Sequence, residues 1–137
     1  MSGVLTGSTD RDPIEISRRI QDMVMEEPWS VRYVRRIIPV QCVVDTNAGS
    51  IIEGIQCIRH HIRDKDTWRV SIKKRNTSIS GQEIISGIAD IIPNKVSLEY
   101  PDIIIHVEIL GGITGVAALR PGDVFSLDKT KRSLSED

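Results

Sequence analysis

The sequence is poor in aromatic residues and cysteines and has no long apolar run. Only 4% of its 137 residues are aromatic, although 39% are hydrophobic, so we expect an aliphatic core. Cys42 and Cys57 are too few for a disulfide framework, and we interpret them as buried thiols. No segment reaches the ~20 apolar residues of a membrane span, and the amino terminus lacks the features of a secretory signal. We therefore predict a cytoplasmic protein with no membrane partner.

Signals for catalysis and for metal binding are also scarce. The sequence has no Gly-x-Gly-x-x-Gly motif and no Walker loop. His60 and His61 are adjacent, so on a helix they point to different sides and do not chelate one metal, and His106 falls in the middle of a predicted strand, as a core residue would. Asp102 and Glu108 are too far apart on that strand to share a proton. We predict no enzyme activity, no catalytic residue, no metal site and no cofactor.

The charges are segregated along the chain, although the formal net charge is only −1. Between Trp29 and Arg75 there are ten basic and four acidic residues, which gives a local net charge of +6. The remaining eight basic and fifteen acidic residues give −7 elsewhere. A polyanion responds to this distribution rather than to the average, so the middle of the chain is a candidate surface for phosphates. A solvated face with no ligand is the alternative for any such charge run.

One segment concentrates this charge on an alternating strand that leads into a capped helix. In Trp68–Lys73 the even-numbered side chains are apolar and the odd-numbered ones are polar or basic, so one face can enter a core while the other stays cationic. Lys74 and Arg75 extend the charge past the predicted strand end. Ser80 and Glu83 then form a capping box, and the helix start adds backbone N–H groups that favour an anion.

The rest of the chain predicts alternating helices and strands in one compact α/β domain. We expect a helix from Asp12-Pro13, a β-rich segment over 32–44 interrupted at Pro39, and a second helix that carries an apolar stripe from Ile51 to Ile62. The apolar run 103–110 and residues 113–119, joined by Gly111-Gly112, predict a central antiparallel hairpin. The polar ending at 129–137 has too little apolar surface to order itself.

Three segments, in this order, resemble a THUMP domain: Arg35-Arg-Ile-Ile-Pro-Val-Gln41, Lys74-Arg-Asn-Thr-Ser-Ile79 with its Gln82-Glu-Ile-Ile helix, and Pro101-Asp-Ile-Ile-Ile-His-Val-Glu108. The resemblance covers roughly residues 30–119. It implies a THUMP-like mixed sheet with helices. This chain departs from the usual layout of the family, because we expect its N-terminal ferredoxin-like lobe to be reduced to one helix and one strand. We accordingly expect a loose segment and helix at 1–29, an RNA-binding domain at 30–125 and a flexible tail at 126–137.

Within that superfamily the chain looks most like the stand-alone THUMP adaptors of tRNA cytidine acetylation. The resemblance implies a protein that binds tRNA, but not DNA, and presents it to a separate N-acetyltransferase that forms N4-acetylcytidine. Service to another tRNA modification, thiolation or methylation, stays open, as does a protein-interaction module with an acidic partner. The expected RNA-binding residues lie on the charged strand and at its end, with one more upstream: Arg35, Arg69, Lys73, Lys74, Arg75 and Asn76.

Overall fold

A computed structural model describes residues 3–135 and divides them into two compact units. Unit 1 is formed mainly by Val40–Arg120, and unit 2 by Leu5–Pro39 together with the described residues from Pro121 onward. This division differs from the one expected, because unit 2 is assembled from both ends of the sequence. No helix in the described part of the chain is long and apolar enough to cross a membrane.

Unit 1 is a four-stranded mixed sheet with two helices. Its elements in chain order are β2 (Cys42–Asp45), α2 (Ala48–Ile58), β3 (Trp68–Arg75), α3 (Gly81–Ile91), β4 (Ile103–Leu110) and β5 (Ile113–Leu119). The strand order is β2-β5-β4-β3, with β3 parallel to β4 and the other pairs antiparallel. The predicted α/β class with a mixed sheet and a central β4–β5 hairpin is confirmed.

The core of unit 1 lies between one face of the sheet and the two helices. Isoleucines of α2 and α3 pack on alternate residues of the strands, and Ile55, Ile88 and Ile105 are fully buried. The helices begin at side-chain caps, since Asn47 accepts a hydrogen bond from the Ser50 amide and Ser80 accepts one from the Glu83 amide. The predicted aliphatic core and the predicted Ser80 cap are both present.

Unit 2 contains α1 (Pro13–Glu26), β1 (Arg36–Ile37), β6 (Phe125–Ser126) and α4 (Leu127–Ser135), with β1 antiparallel to β6. Asp12 caps α1 by accepting from the Ile14 amide, as the Asp-Pro start predicts. A small apolar cluster of Val24, Phe125 and Leu127 holds the elements together. In the segment 32–44, only the two short strands β1 and β2 form, and the chain leaves regular structure around the buried Pro39.

The predicted flexible tail is wrong for residues 127–135, which form α4. The reason is an amphipathic pattern that is easily missed in so polar a segment: Leu127 and Thr130 are buried and Leu134 is half-buried, at helical spacing. The Thr130 hydroxyl also donates to the Ser126 carbonyl at 2.8 Å. Residues 136–137 of the predicted tail, and residues 1–2 of the predicted loose amino terminus, lie outside the described residues.

Candidate nucleic-acid interface

The candidate interface is the outer strand of the unit 1 sheet, β3, whose two faces differ as predicted. Trp68, Val70 and Ile72 contribute to the helix-covered core. The Trp68 indole is 3% exposed, and its Nε1 donates to the Asn94 carbonyl at 2.8 Å, which confirms a core position for this ring. The odd-numbered side chains between Arg69 and Arg75 point to the opposite face, because successive side chains of a strand alternate.

Three basic side chains share that opposite face: Arg69, Lys73 and Arg75, which we call the basic edge. Lys73 and Arg75 are exposed and Arg69 is half-buried. Within residues 3–135 none of the three has a hydrogen-bond or ion-pair partner for its charged group. An exposed cation without an internal partner gives up no protein contact when a phosphate binds it. The basic edge therefore has three charged groups available on one side of a rigid strand.

Lys74 departs from this arrangement. It continues the row of Val70 and Ile72, on the helix side of the sheet, and its Nζ donates to the Ile79 carbonyl at 3.2 Å. The ammonium lies over the start of α3, since Nζ is 3.7 Å from where a Cβ on Gly81 would stand. Lys74 thus holds the loop between β3 and α3 and faces away from the basic edge. Lys74 still lies at the C-terminal end of β3, as Lys73 and Arg75 do.

Asn76 ends β3 in a left-handed conformation, with a φ of 55°. Asparagine adopts this region more readily than most residues, and the chain turns there out of the sheet into the loop before α3. The Arg75 carbonyl accepts from the Gly111 amide at 2.8 Å, so the strand end is fixed against the β4–β5 turn. The Asn76 side chain is exposed. Asn76 is therefore held beside Arg75 by the backbone rather than by a side-chain contact.

Arg35 does not belong to the same unit as the other candidates. It lies in unit 2 just before β1, and its Nη1 is 3.2 Å from the Asp128 carboxylate in an exposed ion pair. The predicted positive middle of the sequence is thus divided, with Arg32, Arg35 and Arg36 in unit 2 and the other seven basic residues in unit 1.

Glu108 is the acidic residue closest in register to the basic edge, directly opposite Lys73 in the β3–β4 pairing. Its Oε2 lies 2.6 Å from Nε2 of His106, which is 5% exposed. The prediction that His106 is a satisfied core residue is confirmed. The Asp102 carboxylate accepts from the Thr67 amide and hydroxyl and so fixes the start of β4.

An ion pair that the sequence does not reveal joins Asp66, just before β3, to Arg120, just after β5. The two terminal guanidinium nitrogens of Arg120 donate to the Asp66 carboxylate, Nη1 at 3.2 Å and Nη2 at 2.6 Å. The hydrogen bond from Arg120 holds the pKa of Asp66 below its ordinary value, against the opposing effect of burial. The two residues are 54 positions apart, and no local pattern links them. The pair anchors the segment from which β3 begins.

Two expectations about possible reactive groups are wrong. The Cys57 thiol is exposed rather than buried, and burial together with the neighbouring Cys57 raises the pKa of the half-buried Cys42 thiol. His60 and His61 do not point to different sides, because the 3₁₀ helix Arg59–His61 that follows α2 places their ring centroids 4.0 Å apart. Among the described residues, no group of three or more His, Cys, Asp or Glu side chains is placed to hold a metal ion.

Comparison with known proteins supports the THUMP resemblance. A family model described as the THUMP domain matches residues 55–118. The matched region runs from α2 to β5 and includes all of the basic edge. Arg35 lies outside the match.

Longer relatives align with most of the chain. An uncharacterized protein of Methanocaldococcus jannaschii, MJ0421, is 29% identical over 129 residues, which are 90% of this chain and 34% of that protein. PH1313 from Pyrococcus horikoshii matches in structure with a TM-score of 0.57 and 16% identity, over 76% of this chain and 37% of its own. TrmN from Thermus thermophilus matches with a TM-score of 0.54 and 13% identity, over 71% and 33%. The chain thus spans about a third of each relative, and the two structures show that it shares the fold of the parts that they match.

Proposed function

We propose that this protein binds tRNA and presents it to a separate modifying enzyme. The observation that carries the proposal is the basic edge: three cations on one face of an outer strand, within the region that matches a THUMP domain. THUMP domains are RNA-binding modules, which makes a structured RNA the expected ligand of this surface.

The chemistry of the basic edge suits a phosphodiester backbone. Guanidinium and ammonium groups that neutralise phosphates release condensed counterions, which gives affinity that falls steeply with salt and does not depend on sequence. An RNA duplex hides its base edges in a deep, narrow major groove, so selectivity comes from shape, 2′-hydroxyl contacts and unpaired nucleotides. Asn76 adds a neutral amide beside Arg75 for a phosphate or ribose oxygen.

The finer part of the proposal concerns the modification. We propose that the enzyme served is an N-acetyltransferase that forms N4-acetylcytidine, and that this chain, acting in the cytoplasm, carries no catalytic centre of its own. The support is the resemblance of the chain to stand-alone THUMP adaptors. Recovery of a thiolation or methylation enzyme from native extract, in place of an acetyltransferase, would keep the tRNA-binding proposal and overturn this part.

The tRNA-binding proposal is tested by removing the three charges of the basic edge together, in the variant R69Q/K73Q/R75Q. We expect tRNA affinity to fall at low salt, and the slope of log affinity against log salt to become shallower by about 0.7–0.9 for each phosphate that the variant no longer neutralises. A gel-shift titration over a salt series measures both quantities. Lys74 is left intact because its ammonium holds the loop before α3.

The matched control removes the same number of charges from exposed positions of unit 1 outside β3, in R63Q/K65Q/K95Q. This control should retain most of the affinity and the salt slope. Equal reductions in both variants would show that only net charge matters. Equal affinity for tRNA and for a polyanion without RNA structure would favour the alternative, an interaction module for an acidic protein.

A further inference from the structure

Unit 2 has an open groove, and none of the residues that line it belongs to the basic edge. It has a volume of about 470 Å³ and is lined by Pro28, Trp29, Lys131 and Leu134. All four residues belong to unit 2, so the groove is complete within that unit.

Trp29 is the most unusual of the lining residues. Its side chain is 66% exposed, in a chain that has only two tryptophans and buries the other, Trp68, almost completely. Burying a tryptophan is among the largest favourable contributions that one side chain can make, so an exposed indole ring in a groove is a common feature of binding surfaces.

The turn that carries Trp29 is fixed by hydrogen bonds. Both the amide and the hydroxyl of Ser30 donate to the Glu27 carbonyl, at 2.9 and 2.7 Å. Val31, on the other side of the turn, packs on the apolar cluster around Phe125. The indole is therefore presented on a short, anchored segment, and a ligand that stacks on it needs to order little of the backbone.

The other side of the groove is helix α4. Lys131 and Leu134 are three residues apart and so lie on one face of the helix. The helix itself is held by the buried Leu127 and by the Ser133 hydroxyl, which lies 3.7 Å from Sδ of Met25 on α1. Lys131 is the one charged residue among the four that line the groove, and it is exposed.

We infer that this groove binds an unpaired nucleotide of the RNA, with the base stacked on Trp29 and the adjoining phosphate bound by Lys131. The inference rests on the proposed function, which supplies an RNA as ligand. An exposed indole, the two apolar residues Pro28 and Leu134, and the exposed ammonium of Lys131 are the parts that a nucleotide needs. Stacking of this kind is tolerant of base identity, because every base has a π face.

The charge of the groove favours a nucleotide over an apolar peptide. A peptide side chain would use Trp29 and Leu134 but would leave the Lys131 ammonium without a partner. Glu26 and Glu27 lie at the end of α1 before the turn and neither lines the groove, so Lys131 is the one charged residue among those that do.

The test uses a single-stranded tetraribonucleotide of adenosine and the full protein. Tryptophan fluorescence is the readout, since Trp29 is exposed and Trp68 is buried. We expect quenching on binding by the wild type. Isothermal titration calorimetry measures the affinity of the variants, because W29A lacks the reporting indole, and we expect an affinity about five- to 150-fold lower in W29A, the usual range for one stacked base. W29F should bind more tightly than W29A, because a phenyl ring still stacks.

The charge part is tested separately. K131Q should weaken binding of the tetraribonucleotide and reduce its salt dependence, whereas K129Q, which removes a charge from the same helix outside the groove, should leave quenching unchanged. A tetramer of the same backbone without bases should bind weakly, and equally to wild type and W29A. Circular dichroism of each variant establishes that it is folded.

Three results would overturn the inference: no quenching by the tetraribonucleotide, wild-type affinity in W29A, or the same reduction for the tetramer without bases. A dimer that dissociates in W29A, seen by sedimentation, would assign the groove to a second copy of this chain and would also overturn it. If the basic edge binds tRNA but the tetraribonucleotide does not bind, this inference alone fails. If the tetraribonucleotide binds and tRNA does not, the proposed function fails.

Discussion

The two units of this chain are stabilised in different ways. Unit 1 has a continuous aliphatic core in which isoleucines of two helices pack on the sheet. In the described part of unit 2, the buried apolar cluster consists of Val24, Phe125 and Leu127, with Ile20, Val31 and Ile37 partly buried around them. Each unit also has one arginine that pairs with a buried or nearly buried aspartate, Arg120 with Asp66 in unit 1 and Arg18 with Asp123 in unit 2. Core size is thus the main difference between them.

The strongest test of this comparison is to truncate the one phenylalanine of the chain. Phe125 is fully buried, and F125A should lower the stability of unit 2 by about 3–5 kcal/mol, because so small a cluster has few neighbours that can fill the space. Amide hydrogen exchange at Ile20 and Val24 on α1 should accelerate accordingly. F125L is the control and should cost much less. Unchanged protection of α1 in F125A would mean that the cluster does not hold unit 2 together.

A truncation in the larger core tests the other side of the comparison. Ile105 is fully buried in the central strand β4, and I105A should lower the free energy of unfolding by about 2–5 kcal/mol, measured by chemical denaturation. I105V removes a single methylene and should cost about 0.5–1.5 kcal/mol. A destabilisation in I105A no larger than that in I105V would show that the core of unit 1 is loosely packed.

The Asp66–Arg120 pair predicts a pH effect in unit 1. The folded pKa of Asp66 is lowered, so its carboxylate contributes stability above its ordinary pKa of 3.8, and that contribution is lost as the pH falls through the lower folded value. R120Q removes the charge that lowers this pKa. The free energy of unfolding of R120Q should therefore fall less steeply than that of the wild type in this acid range.

Chemical denaturation at a series of pH values measures this difference. At neutral pH we expect R120Q to be less stable by about 1–3 kcal/mol, because the nearly buried carboxylate loses its strongest hydrogen bonds. Parallel curves for the two proteins below pH 4 would show that the pair does not link stability to pH.

The two units differ in how much of their structure local sequence patterns predict. In unit 1, Trp68, Val70 and Ile72 follow a strand period and Ser80 a capping rule, so the strand, its inner face and the next helix are all accessible to local reasoning. In unit 2, β6 and α4 meet β1 and α1 across nearly the whole length of the chain, and no local rule predicts such a contact.

The candidate site shows the same limit. Alternation along β3 places Arg69 and Lys73 on one face, as the structure has them. The position of Lys74 depends on the carbonyl of Ile79, which turns towards it only because the chain leaves the sheet at Asn76. The groove beside Trp29 depends on α4, a helix in a segment whose polar composition predicts disorder.

The position of β3 at the border of its sheet has a consequence for solubility. The segment around Val96 covers the outer side of this strand only at Trp68; in the described part of the chain no strand pairs with the outer side beyond that point. An uncovered border of this kind offers amide and carbonyl groups to which the strand of another molecule can add, and lysine and arginine side chains oppose such addition by mutual repulsion. We therefore expect the cations of β3 to oppose strand addition by a second molecule at this border, a role that does not depend on the proposed RNA ligand.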